Sequence, residues 1–291
     1  MNLSDTINSF RPKTLFASIS PCIIGLAISY SHLNKLDLKI ASITVICAIL
    51  LQISSNLIND YYDGKKGTDS KNRLGPQRHS QLSLKNSKQI KYMALFSTSL
   101  AIIFGIYLMI CGGWPIIIIG ISSVIFSWLY TGGPYPLSYY ALGEVFAFIF
   151  FGPIAVIGTQ YLQTHQILNE SIILGTGLGF LSSAIMLINN IRDTDSDKSS
   201  NKKTLSTLFG IKNAKLIYFT NIFLSNAVLI YLGINYNSKF FLIILLFILN
   251  ISLFKNIINH QPSVKYNLFL AHTARLMFLY SISTSIVLIL G

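Results

Sequence analysis

Acidic residues are scarce in this chain. Only ten of its 291 residues are Asp or Glu, and all charged residues together make up 11%, against about 25% in a soluble domain. That deficit excludes an ordinary soluble globular protein. Three cysteines, Cys22, Cys47 and Cys111, stand singly inside apolar runs. They offer no disulfide framework and read as small core or lipid-facing side chains. Nothing supplies the Cys/His set that zinc prefers. Short alternating strands are missing as well, which argues against a membrane β-barrel. Residues 1–13 are polar, with no signal-peptide cleavage site recognisable after them and no Arg/Ser-rich transit segment before the first apolar run.

Hydrophobic residues are abundant, at 52%, and the mean hydropathy is +0.57. Apolar runs repeat along the whole length, and many approach the roughly 20 residues that cross a bilayer as a helix. Helices satisfy their own backbone in lipid, so the expected fold is all-α: a multi-pass membrane protein, one domain over 1–291. Nine spans are expected, at about 14–31, 39–58, 92–111, 114–130, 140–161, 171–190, 215–234, 239–255 and 268–290.

The net charge of +12 lies in the loops between apolar runs, which points to membrane topology and an anionic substrate rather than to nucleic acid. With the N-terminus in the cytoplasm, about 18 Lys/Arg fall on the cytoplasmic side and about three outside. This asymmetry implies an odd number of spans and two long cytoplasmic loops, about 59–91 and 191–214. In a bacterium the membrane would be the inner one.

The few acids are not scattered. Leu-Ile-Asn-x-x-x-Asp occurs twice, at Leu57–Asp63 and Leu187–Asp193, and six of the ten acids (Asp60, Asp63, Asp69, Asp193, Asp195, Asp197) lie in or just after these copies. Helical spacing puts Asn59 with Asp63 on one face, and Asn189, Asp193 and Asp197 on another, with Asp195 turned away. Carboxylate and amide oxygens suit Mg²⁺, which is bound through a few carboxylates plus substrate phosphates. Two matched clusters at one membrane face make the candidate metal set Asn59, Asp60, Asp63, Asp69, Asn189, Asp193 and Asp197. Basic residues accompany each cluster, and metal beside Lys/Arg suits a diphosphate. Between the copies, the turn from Tyr130 to Glu144 contains Gly132-Gly133-Pro134, four tyrosines and no cation. Aromatic faces there suit the wall of an apolar cavity and stabilise a developing cation. Glu144 is the one acid deep in an expected span outside the motifs, and an intramembrane carboxylate is functional by default.

These stretches together resemble the UbiA-type intramembrane prenyltransferases, in particular the 1,4-dihydroxy-2-naphthoate polyprenyltransferase branch. The resemblance runs through Arg11-Pro12-Lys13-Thr14, Asn59 to Asp63 with Gly67-Thr68-Asp69, Arg73 to Arg78, Tyr130 to Pro134 with Leu142-Gly143-Glu144, and Asn189 to Asp193 with Lys202 and Lys203. It departs at Asn201, Lys203 and Leu208, where the family often carries Gly, Arg and Arg. The resemblance implies a helical bundle around a central cavity and a Mg²⁺-dependent aromatic prenyltransferase. Polyprenyl diphosphate is the implied donor and 1,4-dihydroxy-2-naphthoate the acceptor, giving diphosphate, CO₂ and demethylmenaquinone in menaquinone biosynthesis. Asp63, Asp193, Asp197, Tyr130 and Glu144 are the implied catalytic residues, Glu144 orienting the acceptor's hydroxyl. Arg11, Lys65, Arg73, Arg78, Arg192, Lys202 and Lys203 are the implied diphosphate ligands. His272 and Arg275, within or near the ninth span, have two readings: contact with the diphosphate or the acceptor carboxylate, or helix packing. The alternatives are prenylation of 4-hydroxybenzoate or homogentisate, a CDP-alcohol phosphotransferase, whose Ala-Arg is missing after Asp63-Gly64, and an ion-coupled transporter, which would carry its acids at span centres.

Overall fold

The computed structural model describes residues 3–66, 74–75, 83–133 and 135–291. The helices are α1 (Leu3–Ser9), α2 (Pro12–Leu33), α3 (Leu38–Lys66), α4 (Leu84–Gly112), α5 (Trp114–Leu129), α6 (Gly143–Ile149), α7 (Ala155–Thr164), α8 (Asn169–Arg192), α9 (Thr194–Ser199), α10 (Leu205–Asn235), α11 (Phe240–Ile243), α12 (Leu245–Leu249), α13 (Ile251–Asn259) and α14 (Tyr266–Leu290). Among the described residues there is no strand, only a parallel two-residue bridge between Tyr140 and Lys203. The all-helical membrane fold expected from hydropathy is therefore observed.

The span count differs. Among the described residues seven helices are long and apolar enough to cross a membrane, and an eighth is reached if Phe240–Leu249 and Ile251–Asn259, bent by 45°, form one broken span. The expected fourth span is α5, an apolar helix of only 16 residues. At about 1.5 Å per residue it falls short of a roughly 30 Å hydrocarbon core. Hydropathy registers an apolar run but not whether the helix is long enough or unbroken, so among the described residues seven or eight of the nine expected spans meet the length test, α5 being the short one.

Local chemistry sets the helix ends. Pro12 opens α2, where a missing N–H costs nothing. Gly113, at φ 67° and ψ −155°, turns α4 into α5 within one residue, a conformation open to glycine. Thr204 and Thr207 close a capping box at the start of α10, whose first turn is set off by Gly210 at φ 80°. Between α6 and α7 the chain runs through a π-helical stretch, Phe150–Ile154, with Gly152 out of helical geometry and Pro153 unable to donate.

Helix α8 is the axis of the bundle. Leu174, Leu178, Leu181, Leu187, Ile188 and Ile191 are fully buried on it. Its glycines allow backbone contact with the π-helical stretch. A Cβ at Gly175 would lie 2.8 Å from Pro153 Cα, and one at Gly179 would lie 2.7 Å from the Phe148 carbonyl. Small residues at such crossings are how membrane helices pack without a hydrophobic drive between them. The outward faces stay apolar: Ile103, Ile106 and Ile110 on α4 and Phe223 on α10 are exposed, as side chains facing lipid tails are.

Gly175→Val is expected to destabilise the bundle by about 1–3 kcal/mol, the usual cost of overpacking. Gly105→Ala, whose Cβ would meet nothing closer than Cys47 Sγ at 4.0 Å, should be neutral. Thermal melting of both variants in the same detergent checks the pair.

Candidate functional site

The C-terminal ends of α3 and α8 meet α9 at the polar mouth of a cavity of about 340 Å³. Asn59 and Asp63 reach it from α3, Asn189, Asn190 and Asp193 from α8, and Asp197 from α9. Lys202, Arg11 and Tyr130 complete the mouth. Below it the wall is apolar, with Phe126, Phe146 and Phe150 in ring contact at 4.7–6.1 Å.

The second motif keeps its helical spacing across a break. Asp193, at φ −95° and ψ 10°, ends α8 and precedes α9. Its N–H still donates to the Asn189 carbonyl (3.1 Å), and the Asp197 N–H donates to the Asp193 carbonyl (2.8 Å). The stripe expected from i, i+4, i+8 thus survives, and Asp195 is exposed. Arg192 holds Asp193 in place. Its Nε and Nη2 donate to the two carboxylate oxygens at 2.7 and 2.6 Å, Nη2 donates to Asn189 Oδ1 at 2.8 Å, and Nη1 donates to Asn267 Oδ1 at 2.8 Å. This two-pronged contact is specific to a guanidinium.

Asp197 is paired with Lys202, whose Nζ lies 3.3 Å from Asp197 Oδ1. The two are also tied by backbone, Lys202 N–H donating to the Asp197 carbonyl at 2.8 Å. Burial pushes the Asp197 carboxyl up to about 6, opposed by the nearby ammonium of Lys202. Burial works against the charge of Lys202, but Asp197, Asp63 and Asp193 outweigh it and hold the ammonium above its ordinary range. Burial likewise raises the Tyr130 phenol, while Lys202 works in the other direction. The Tyr130 hydroxyl donates to Met186 Sδ at 3.1 Å.

A divalent cation fits this donor set. Asp197 Oδ2 is buried and, among the described residues, has no hydrogen-bond partner, which is costly unless something positive satisfies it. No three His, Cys, Asp or Glu side chains converge on one point among the described residues. Carboxylates alone therefore do not enclose an ion, and Asn59, Asn189, water and substrate oxygens have to complete its shell, as suits Mg²⁺.

The remaining expected site residues divide as follows. Asp60 is buried but does not line the cavity. Lys65 and Lys203 have exposed side chains off its wall, and Lys203 contributes backbone, pairing with Tyr139 and Ala141. Arg192 points its three nitrogens at protein oxygens. Glu144 sits behind Asn190, which donates to its Oε1 at 2.7 Å. Of the four tyrosines in the turn only Tyr130 lines the cavity. Tyr139 lies under the Lys202 ammonium at 5.8 Å, and Tyr135 and Tyr140 are exposed. His272 and Arg275 are exposed on α14. Asp69, Arg73 and Arg78 lie outside the described residues.

Sequence reasoning passed over three groups of polar residues. Asn267 joins Arg192 to the first long loop, donating from Nδ2 to the Leu74 carbonyl at 2.8 Å; nothing in an isolated Asn signals this. Gln52 and Asn56 extend the Asn59/Asp63 face into the membrane, and Asn56 Nδ2 donates to the Phe10 carbonyl and to Thr14 Oγ1, both at 3.0 Å. Their i, i+4 spacing inside an apolar run was the available clue. Asn190 was overlooked because it lies off the metal stripe.

Comparison with known proteins agrees with this geometry. A profile described as the UbiA prenyltransferase family matches residues 18–282. A 1,4-dihydroxy-2-naphthoate octaprenyltransferase of Bacillus subtilis is 36% identical over 70% of the chain and 65% of its own length. The protein of that name from Escherichia coli is 34% identical over 72% and 70%. Among solved structures, a UbiA homologue from Archaeoglobus fulgidus bound to DMAPP and Mg²⁺ superposes with a TM-score of 0.70 over 98% of this chain and 99% of its own. At 13% identity this shows the fold.

If Arg192 serves Asp193, Arg192→Lys should weaken divalent-cation binding by about 10–100-fold, the usual effect of losing the group that orients a ligand. Mn²⁺ titration followed by electron paramagnetic resonance measures this. Unchanged Mn²⁺ affinity with weakened diphosphate binding would instead make Arg192 a direct phosphate ligand.

Proposed function

Because this chain belongs to the UbiA prenyltransferase family, we propose that it transfers a polyprenyl group from polyprenyl diphosphate to 1,4-dihydroxy-2-naphthoate. The observation that carries the reading is the juxtaposition at one cavity: Asp63, Asp193, Asp197 and Lys202 at the mouth, and a phenylalanine-lined chamber below. Such a chamber accepts an isoprenoid tail while its head remains among charges.

Asn59, Asp63, Asn189, Asp193 and Asp197 would hold Mg²⁺ in this reading. When bound, Mg²⁺ neutralises the diphosphate and stabilises it as a leaving group. Lys202, already facing three carboxylates, moves its charge toward the departing oxygens, and Arg11, which also lines the cavity, adds a second cation. The C1–O bond of the donor breaks, and its electron pair leaves with the diphosphate. Tyr130 and the phenylalanines face the allylic cation that develops and keep water away from it. The ring carbon bearing the acceptor's carboxylate bonds to C1. Its bond to the carboxylate breaks, CO₂ departs, and the electrons return to the ring. The product is the quinol form of demethylmenaquinone.

The whole chain acts as one domain in the bacterial inner membrane, with its N-terminus and the cavity mouth on the cytoplasmic side. The asymmetry of Lys and Arg between alternate loops supports that orientation.

Purified protein given Mg²⁺, a radiolabelled polyprenyl diphosphate and a panel of acceptors should prenylate 1,4-dihydroxy-2-naphthoate in preference to 4-hydroxybenzoate and homogentisate. Chelation of the metal should abolish turnover. Asp63→Ala and Asp197→Ala should each lower kcat by about 100-fold or more, as loss of a transition-state charge stabiliser does. Equal activity of parent and Asp63→Ala would sink the reading.

A further inference from the structure

Glu144 is buried in the first turn of α6 and does not line the cavity. Its route to the cavity is through one residue. Asn190, 5% exposed, stands between Glu144 and the open space and lines the wall. Its Nδ2 donates to Glu144 Oε1 at 2.7 Å. A carboxyl oxygen at that distance sets the direction of the amide: the NH₂ end is drawn back toward α6, and the carbonyl end is presented to the cavity. Among the described residues no donor is paired with Asn190 Oδ1.

The place of this oxygen is informative. Asn190 precedes Asp193 by three residues on α8, a rise of about 4.5 Å. It therefore lies one step below the cation-binding mouth and one turn above Met186, which touches the Tyr130 hydroxyl. That is the border between the charged mouth and the apolar chamber, where a ring attacking C1 has to sit. An acceptor-only oxygen there selects a ligand with an O–H donor. The main chain at this point is also secured, since Ser206 Oγ donates to the Asn190 carbonyl at 2.8 Å.

We propose that Asn190 Oδ1 accepts a hydrogen bond from a ring hydroxyl of the aromatic acceptor, and that Glu144 is the positioning residue that turns the amide toward it. This rests on the prenyl-transfer reading above. It relocates the contact expected of Glu144 from the carboxylate to the amide in front of it.

The test separates acceptor from donor. Asn190→Ala should raise KM for the hydroxynaphthoate about tenfold or more, the scale of one lost hydrogen bond in a polar-specific site. KM for the polyprenyl diphosphate and the Mg²⁺ requirement should stay unchanged. Glu144→Gln, of the same shape, should shift acceptor KM in the same direction by less, because a glutamine accepts either orientation of its neighbour. Naphthoate analogues with one hydroxyl replaced by methoxy give the decisive comparison. One of them should cost the parent about tenfold in kcat/KM and cost Asn190→Ala nothing further. Equal losses in parent and variant for every analogue would overturn the proposal, as would a rise in donor KM that matches the rise for acceptor. Calorimetric binding of the acceptor to the same proteins is independent of turnover. Parent that binds hydroxynaphthoate but turns over none defeats the functional reading. Parent and Asn190→Ala binding it equally defeats this proposal alone, and thermal melting confirms that both variants are folded.

Discussion

The site depends on compensating carboxylates taken out of water. Asp63, Asp193 and Asp197 are each almost fully buried, and a buried charge without a partner is among the most costly features a fold can carry. The protein answers each acid differently. Asp193 receives a guanidinium on both oxygens, whereas Asp197 receives an ammonium on Oδ1 and, among the described residues, no donor on Oδ2. In the proposed reading both acids serve the cation. A carboxylate has about four lone-pair sites, so Asp193 keeps some for a metal while Arg192 orients it, and the buried Oδ2 of Asp197 is stabilised by a positive partner. Burial raises the Asp197 carboxyl against the pull of Lys202.

Holding such a site requires a rigid support, and α8 supplies it. It packs through glycine against the π-helical stretch that follows α6 and carries fully buried leucines along its length. The same helix that closes on Pro153 within backbone contact ends in Asn189, Asn190, Arg192 and Asp193. A shift of α8 therefore moves the Phe146–Phe150 wall and the acids together. The irregularity of the π segment and the regularity of α8 are two sides of one packing solution: Gly152 and Pro153 give up helical bonds where the neighbouring backbone comes closest.

Much of this was legible in the sequence because it follows from local periodicity. Apolar runs announced the helices, and four-residue spacing announced that Asn59 and Asp63 share a face, as do Asn189, Asp193 and Asp197. What was not legible depends on distance in space. Arg192 reads as a phosphate-binding cation until Asp193, Asn189 and Asn267 are found around its three nitrogens. Glu144 reads as a residue facing the acceptor until Asn190 is found in front of it. The tyrosines of the 130–140 turn read as a cavity wall, yet three of the four point elsewhere, since aromatic composition does not encode direction. The fourth expected span is short for a related reason. Trp114–Leu129 is as apolar as any span, and only its one-residue turn from α4 and its ending at Tyr130 limit its length.

The two copies of the repeated motif end in different architectures, and the difference links the cation-rich mouth of the cavity to the aromatic turn. In the first, α3 continues unbroken past Asp63 to Lys66. In the second, the helix breaks at Asp193, and the chain folds back within ten residues to place Lys202 on Asp197. The residue after Lys202 then bridges to the aromatic turn: the Ala141 N–H donates to the Lys203 carbonyl at 2.9 Å, and the Lys203 N–H donates to the Tyr139 carbonyl at 3.3 Å. That turn begins at Tyr130 and leads into Glu144. Thus Lys202, the cation proposed to face the leaving group, and the residues proposed to face the ring hang from opposite sides of one short backbone pairing. A side-chain network would let these groups drift with rotamer changes, whereas main-chain hydrogen bonds tie their Cα positions to one another. The exposed side chain of Lys203 is consistent with this. Its position contributes through its backbone.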